Sequence, residues 1–277
     1  MMILSADAPP EALAAFRKSW GLDVPLWRQF AGYLGNVMQG NFGNSMRDGS
    51  PAMELVLEAL PATLAITVPA FILDLCIGIP AGIFAALYRD SWIDRLVMCL
   101  SVAGHTLPSF VLGLLLVLIF AVSFGWLPSG GFTSPLHAIL PIATLTVGGA
   151  AVLARYARSS MLEVLGQPYI RAARAKGLSA LQVVFRHALP NAAMPIVTVA
   201  GMMMGALIAG AVVVESVFSW PGVGRLIVSA VANRDLAVVQ AALLLITASM
   251  VVANLLVDAA YSFLDPRLGQ SNSARRG

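Results

Sequence analysis

Between Arg95 and Arg155 the chain carries no Lys, Arg, Asp or Glu, and this apolar stretch is interrupted only by GWLPSGGFTSP, residues 125 to 135. Gly, Pro and Ser at that density mark a turn, so the stretch reads as two helical spans and a connector. Three further runs reach the length of about 20 mainly apolar residues needed to cross roughly 30 Å of hydrocarbon. The pattern predicts an all-α polytopic transmembrane helix bundle with five spans, at 62–87, 96–124, 136–157, 192–217 and 236–262. Residues 1–58 precede the bundle, 59–265 form the transmembrane domain, and 266–277 form a tail.

Composition agrees with a lipid solvent. Of 277 residues, 58% are hydrophobic and 11% charged, against about 25% charged in soluble domains, and mean hydropathy is +0.83. The net charge of +3 is too small, and too free of interleaved aromatics, for a nucleic-acid surface. Cys76 and Cys99 lie in apolar runs without metal-ligand spacing, so neither a disulfide framework nor a metal site is expected.

The positive charge is instead concentrated. The loop from Arg155 to Arg186 holds Arg155, Arg158, Arg171, Arg174, Lys176 and Arg186 against the single acid Glu163, and an excess of Lys and Arg marks the cytoplasmic side. Alternation then places Arg89 and Arg95 inside with the tail, and the uncharged 125–135 connector outside. The same alternation puts residues 1–58 outside, although they contain no signal-peptide apolar core and no span. A sixth span, N-terminal to Met1, would resolve this and leave both termini inside.

Within the basic loop, Gln167-Pro168 followed by YIRAARAKG reads as a short helix, with proline in the first turn and Gly177 at the left-handed position past its end. Ser179 and Gln182 have capping-box spacing for a second helix, and Pro190 marks the return to the membrane. A helix, a glycine break and a second helix over 168–190 make a stiff element. Its small residues Ala172, Ala173 and Ala175 would let another protein's surface approach closely. A solvated loop touching only anionic headgroups is the competing reading.

Other positions carry weaker signals. Gly201, Gly205 and Ala209 recur every four residues, a spacing that lets membrane helices pack closely, within one subunit or between two. Asp74 lies mid-span, where an unpaired charge costs about 2.5 to 3.5 kcal/mol on insertion scales; it either serves translocation or satisfies a structural hydrogen bond. Glu215 and Asp258 sit near span ends, where helix-end hydrogen bonding is the simpler reading. FSWPGVG, with Trp220, Pro221, Gly222 and Gly224, suits an interfacial aromatic belt, an extracytoplasmic gate or a docking site. His105, His137 and His187 are scattered, and no nucleophile elbow, HExxH or catalytic carboxylate pair occurs. The only lysines, Lys18 and Lys176, do not stand in a phosphate-binding glycine loop. No catalytic, cofactor or metal residues are therefore assigned, and the chain is not expected to be an enzyme.

The 168–190 element resembles the cytoplasmic signature of ATP-binding-cassette (ABC) importer permeases: Glu-Ala-Ala, three residues, Gly, nine residues, Ile, one residue, Leu-Pro. Ala172, Ala173, Gly177, Leu189 and Pro190 fall on it, while Arg171 replaces the Glu and His187 the Ile. The arginine variant is similar to permease subunits of dipeptide, oligopeptide and nickel importers. So are residues 21–45, ARSSMLEVLGQ (157–167), ESVFSWPGVGRL (215–226), NRDLAVVQ (233–240), NLLVD (254–258) and DPR (265–267). Family members normally begin with a transmembrane helix and a Gly-Asp-Pro stretch, and both are absent here. The resemblance implies the type-1 ABC permease fold in a bacterial inner membrane and a second homologous permease. It also implies two cytoplasmic ATPases holding ATP and Mg, and a periplasmic solute-binding protein. In that assembly Arg171, Ala172, Ala173, Arg174, Lys176, Gly177, Leu189 and Pro190 would couple to an ATPase. Peptides are the implied substrate, with nickel or another small solute as the alternative and an ion-coupled secondary carrier as a competing class.

Overall fold

A computed structural model describes residues 23–264 except Asp48, without side chains at 257, 258 and 260–264. The first 22 residues of the N-terminal segment, the tail at 266–277 and the side chain of Asp258 therefore lie outside the described residues. Helices dominate, and among the described residues the only β pairing is a single bridge between Asn44 and Pro51. In chain order they are α1 (Leu26–Met38), α2 (Ala52–Leu87), α3 (Trp92–Thr106), α4 (Ser109–Ser123), α5 (Ile139–Leu165), α6 (Pro168–Ala175), α7 (Ala180–Gly205), α8 (Leu207–Val217), α9 (Val223–Ala232) and α10 (Leu236–Leu264).

Helix α5 is the central post: α2, α3, α4, α7 and α8 all lie against it. Lipid supplies no hydrophobic force between helices, so association depends on how closely backbones can approach. The α2–α5 seam meets that need with glycine. A Cβ on Gly78 would stand 2.6 Å from the Ala150 carbonyl oxygen and 2.8 Å from the Leu153 Cβ, and one on Gly82 would overlap the Ala154 carbonyl oxygen. Ala85, Ala86, Ala150, Ala154 and Ala157 complete a buried small-residue seam. Large apolar side chains face outward instead, as with Leu64, Val68 and Ile72 four residues apart on α2, where they meet lipid.

The structure corrects three expected boundaries. The 96–124 span is two helices, α3 and α4, meeting at 103°, because Leu107 precedes Pro108 and takes an extended conformation (φ −69°, ψ 123°) that ends α3. The 192–217 span is likewise divided at Ala206, where α7 closes on a tight turn and α8 restarts. Ala209 thus belongs to a different helix from Gly201 and Gly205, and the three do not form one stripe. Finally, Pro190 breaks nothing. A π-helical turn at Val184–Ala188 shifts the hydrogen-bond register just before it, so the proline enters as the start of a fresh α segment and α7 runs unbroken from Ala180 to Gly205.

Candidate functional site

The cationic end of the bundle is built around the α6–α7 elbow. Helix α6 opens with Pro168 in its first turn and closes at Lys176, with Gly177 at φ +83°. That left-handed conformation is open to glycine at little cost and disfavoured for residues with a Cβ. Ser179 restarts the chain: its hydroxyl accepts from the Gln182 backbone N–H at 3.3 Å, and the Gln182 side-chain oxygen accepts from the Ser179 N–H at 2.9 Å. Both ends of the break are therefore locally fixed, and the angle between α6 and α7 is set by two caps rather than by a slack loop.

The elbow has two faces. Ile170 and Ala173 are buried with Ala86 of α2, Met161 of α5 and Val183, Val184 and Ala188 of α7, an apolar weld that joins four helices. Arg171, Ala172, Arg174, Ala175, Lys176 and Gly177 are exposed, as is Pro190, and Leu189 is half-buried against the weld. Of the alanines in the motif, Ala173 thus faces inward, whereas Ala172 and Ala175 stand among the cations. One face anchors the elbow to the membrane helices, and the other presents positive charge and backbone to whatever approaches.

A second lock lies beside it. Arg158, on the part of α5 beyond the apolar span, donates from Nε to Asp94 Oδ1 at 2.5 Å and from Nη2 to Asp94 Oδ2 at 2.7 Å. Asp94 Oδ2 also accepts from the Asp90 N–H at 3.0 Å, and Ser91 caps α3 by accepting from the Asp94 N–H. The bidentate pair ties the start of α3 to α5. Arg158→Ala leaves the buried Asp94 carboxylate unpaired and is expected to lower the unfolding temperature of the purified protein by about 3 to 8 °C. Arg158→Lys should restore only part of that loss, because an ammonium cannot supply two parallel donors. Equal melting curves for all three proteins would refute the lock. Nothing local announced this pair, since 64 residues separate its members.

At the opposite end, Glu215 is fully buried and organises the α8–α9 turn. Its Oε1 accepts from the Thr63 hydroxyl at 2.6 Å and its Oε2 from the Arg225 N–H at 3.0 Å, so the carboxylate sits at the N-terminus of α9. Thr63 Oγ1 in turn accepts from the Val223 N–H at 2.8 Å, and Trp220 donates from Nε1 to the Ala62 carbonyl at 2.7 Å. Gly222 and Gly224 lie so close to the carboxylate that a side chain on Gly222 would overlap it. Trp220 is buried rather than displayed, and Pro221 is exposed. The turn is knotted onto α2 through Thr63, a residue with no motif of its own. A parallel tie joins Asp235, before α10, to the Ser45 hydroxyl at 2.5 Å and the Met46 N–H at 3.1 Å.

A Cβ on Gly205 would stand 3.7 Å from the Ala253 Cβ and the Asn254 Oδ1 of α10, so its packing partner lies within this chain. Asp74 stands in a π-helical turn of α2 with its carboxylate against Gly149 of α5.

A family model described as the inner membrane component of binding-protein-dependent transport systems matches residues 78–270, which includes the elbow, the Arg158 lock and the Glu215 side of the knot but not its partner Thr63. The chain belongs to that family. The permease is 42% identical over 267 residues to the glutathione transport system permease protein GsiC of Escherichia coli strain K12, covering 96% of this chain and 87% of that relative. It has the same identity and coverage against GsiC of Shigella flexneri serotype 5b. Its fold is that of solved ABC importers. An inward-facing MetNI methionine transporter superposes with a TM-score of 0.67 at 22% identity, over 77% of this chain and 97% of the solved one. An amino acid ABC transporter with histidines gives 0.57 at 20% identity, over 74% and 92%. The chain is thus a multi-pass permease subunit of a binding-protein-dependent importer, with the type-1 ABC permease fold.

Proposed function

We propose that this permease pairs with a second, homologous permease to pass small peptides across the bacterial inner membrane, and that its α6–α7 elbow takes up the motion of a cytoplasmic ATPase. The relatives named for glutathione, a tripeptide, support the peptide assignment. The observation that carries the coupling assignment is the two-faced elbow, with its exposed cations and left-handed Gly177 on a buried weld to α2, α5 and α7. Nucleotide and Mg belong on the ATPases, the solute arrives on a periplasmic binding protein, and the C-terminus is cytoplasmic.

Closure of the ATPases displaces α6. The weld transmits that displacement to α7, which carries it into the membrane without a joint, and the bundle rocks between inward- and outward-open arrangements. Gly177→Val and Gly177→Pro test this. Either substitution opposes φ +83°, at a cost of about 1–2 kcal/mol for an L-residue and more for proline, whose ring fixes φ near −65°. A Cβ at Gly177 meets nothing within 4 Å, so the bundle itself tolerates the change. Both variants should assemble in reconstituted vesicles and lose about tenfold or more of ATP-driven peptide uptake, at 1.4 kcal/mol per decade. Undiminished uptake in both would refute the coupling role.

A further inference from the structure

Asp74 is 5% exposed, and its Oδ1 has no hydrogen-bond partner among the described residues. Among those residues the ion pairs are Arg89–Asp90 and Arg158–Asp94, so no cation neutralises it. A membrane protein that holds a carboxyl group mid-span normally gives it a partner or water. The carboxyl borders a cavity of about 200 Å³ lined also by Thr67, Met203, Ala206, Leu207 and Gly210. Apart from Asp74 and the Thr67 hydroxyl, which bonds to the Thr63 carbonyl at 2.9 Å, that lining is apolar.

The second observation is independent. The cavity opens where α7 stops at Gly205 and α8 begins at Leu207. An interrupted helix at membrane depth is tolerated where it is covered by protein or borders water, not where it meets lipid, and broken helices recur where transporters bind solute. Ala206 and Gly210 are exposed on this single chain, which opens the cavity to its outside beside the break. An acid with no counter-cation among the described residues, apolar walls and a backbone break at the mouth together specify a compact cation with a short apolar body.

We propose that the Asp74 cavity is a station on the translocation path that receives the protonated amine of the transported solute, in a peptide its α-ammonium. The identity of the solute rests on the peptide reading above; the amine site itself does not. Asp74 would hold the amine electrostatically while Met203 and Leu207 contact the first side chain, and the break at Ala206 lets the walls part as α7 moves.

The test uses the complete transporter in proteoliposomes. Cys76 and Cys99 are the only cysteines of the chain and are replaced by Ser. Gly210→Cys then introduces a thiol at the mouth, where a Cβ meets nothing within 4 Å. Its modification by aminoethyl and by sulfonatoethyl methanethiosulfonate is followed by mass, each rate normalised to a free thiol in water. With Asp74 present the cationic reagent should be favoured about tenfold or more. Asp74→Asn should abolish the preference and Asp74→Glu retain it. Equal rates with Asp74 present, a preference unchanged in Asp74→Asn, or no modification by either reagent during turnover would overturn the site. Uptake then identifies the solute. A dipeptide with a free amine should outpace its N-acetyl counterpart, and Asp74→Asn should shrink that ratio about tenfold, the value of one charged hydrogen bond. Equal wild-type uptake of both peptides would overturn the amine assignment. Transport of neither would refute the peptide reading while the labelling result still decides the amine site.

Discussion

Gly82→Val is expected to abolish stable folding of this permease in the membrane. A Cβ at position 82 would overlap the Ala154 carbonyl oxygen and stand 2.7 Å from the Ala157 Cβ and 2.9 Å from the Arg158 nitrogen. These are backbone and Cβ atoms, which cannot rotate aside. The only relief is to push α2 away from α5, and that separation propagates along the seam to Gly78, where clearance against Ala150 and Leu153 is equally small. Overpacking in a close-packed interior costs about 1–3 kcal/mol, and contacts along the opened seam are lost besides, so a total above about 3 kcal/mol is expected. Gly148→Ala is the matched control, because a Cβ there meets nothing within 4 Å. Purified yield and unfolding temperature should collapse for Gly82→Val and stay at wild-type values for Gly148→Ala. A normal melting curve for Gly82→Val would show that α2 and α5 do not meet as described.

The second large effect is expected from Glu215→Ala. Removing the carboxylate strands two donors, the buried Thr63 hydroxyl and the part-buried Arg225 N–H, and leaves a void beneath Gly222 and Gly224. An unsatisfied buried donor costs about 1–3 kcal/mol, and truncation of a large buried side chain adds a cavity term, so roughly 3–5 kcal/mol is at stake. The loss falls on one place. Amide hydrogen exchange at Val223 and Arg225 should accelerate strongly, while the amides of the α6–α7 elbow keep their protection. Glu215→Gln preserves shape and one acceptor oxygen and should show a smaller effect. Unchanged exchange at Val223 and Arg225 in Glu215→Ala would refute the knot.

Some of this was legible along the chain, for physical reasons that can be located. Spans and the basic loop follow from where charge is absent or concentrated, and the elbow follows from residues whose conformational demands are local: proline in a first turn, a Ser–Gln pair three apart, a glycine past a helix end. The break between α3 and α4 had a local signal in Pro108, outweighed by the unbroken hydrophobicity around it. The break at Ala206 had none, since alanine flanked by Gly205 and Leu207 is an ordinary helical neighbourhood and the division is set by packing among distant helices. Gly78 and Gly82 share the four-residue spacing of small residues on close-packed membrane helices, but that signal was not read along the chain, and the α2–α5 seam it marks became visible only in the fold. Thr63 with Glu215, 152 residues apart, and Asp94 with Arg158 became visible only when folding brought them together.

The π turn at Val184–Ala188 has a geometric consequence for the rod that contains it. A π turn accommodates one residue more than regular α winding would, so it sets the rotational phase between the stub at Ala180 and everything beyond Leu189. Deleting a single residue there would take out that extra residue and leave regular winding, with the stub and the rod near their present phase, whereas the same deletion in regular winding would turn the two ends about 100° apart. Only the second change would point the arginine patch along another azimuth, on a permease that still spans its bilayer.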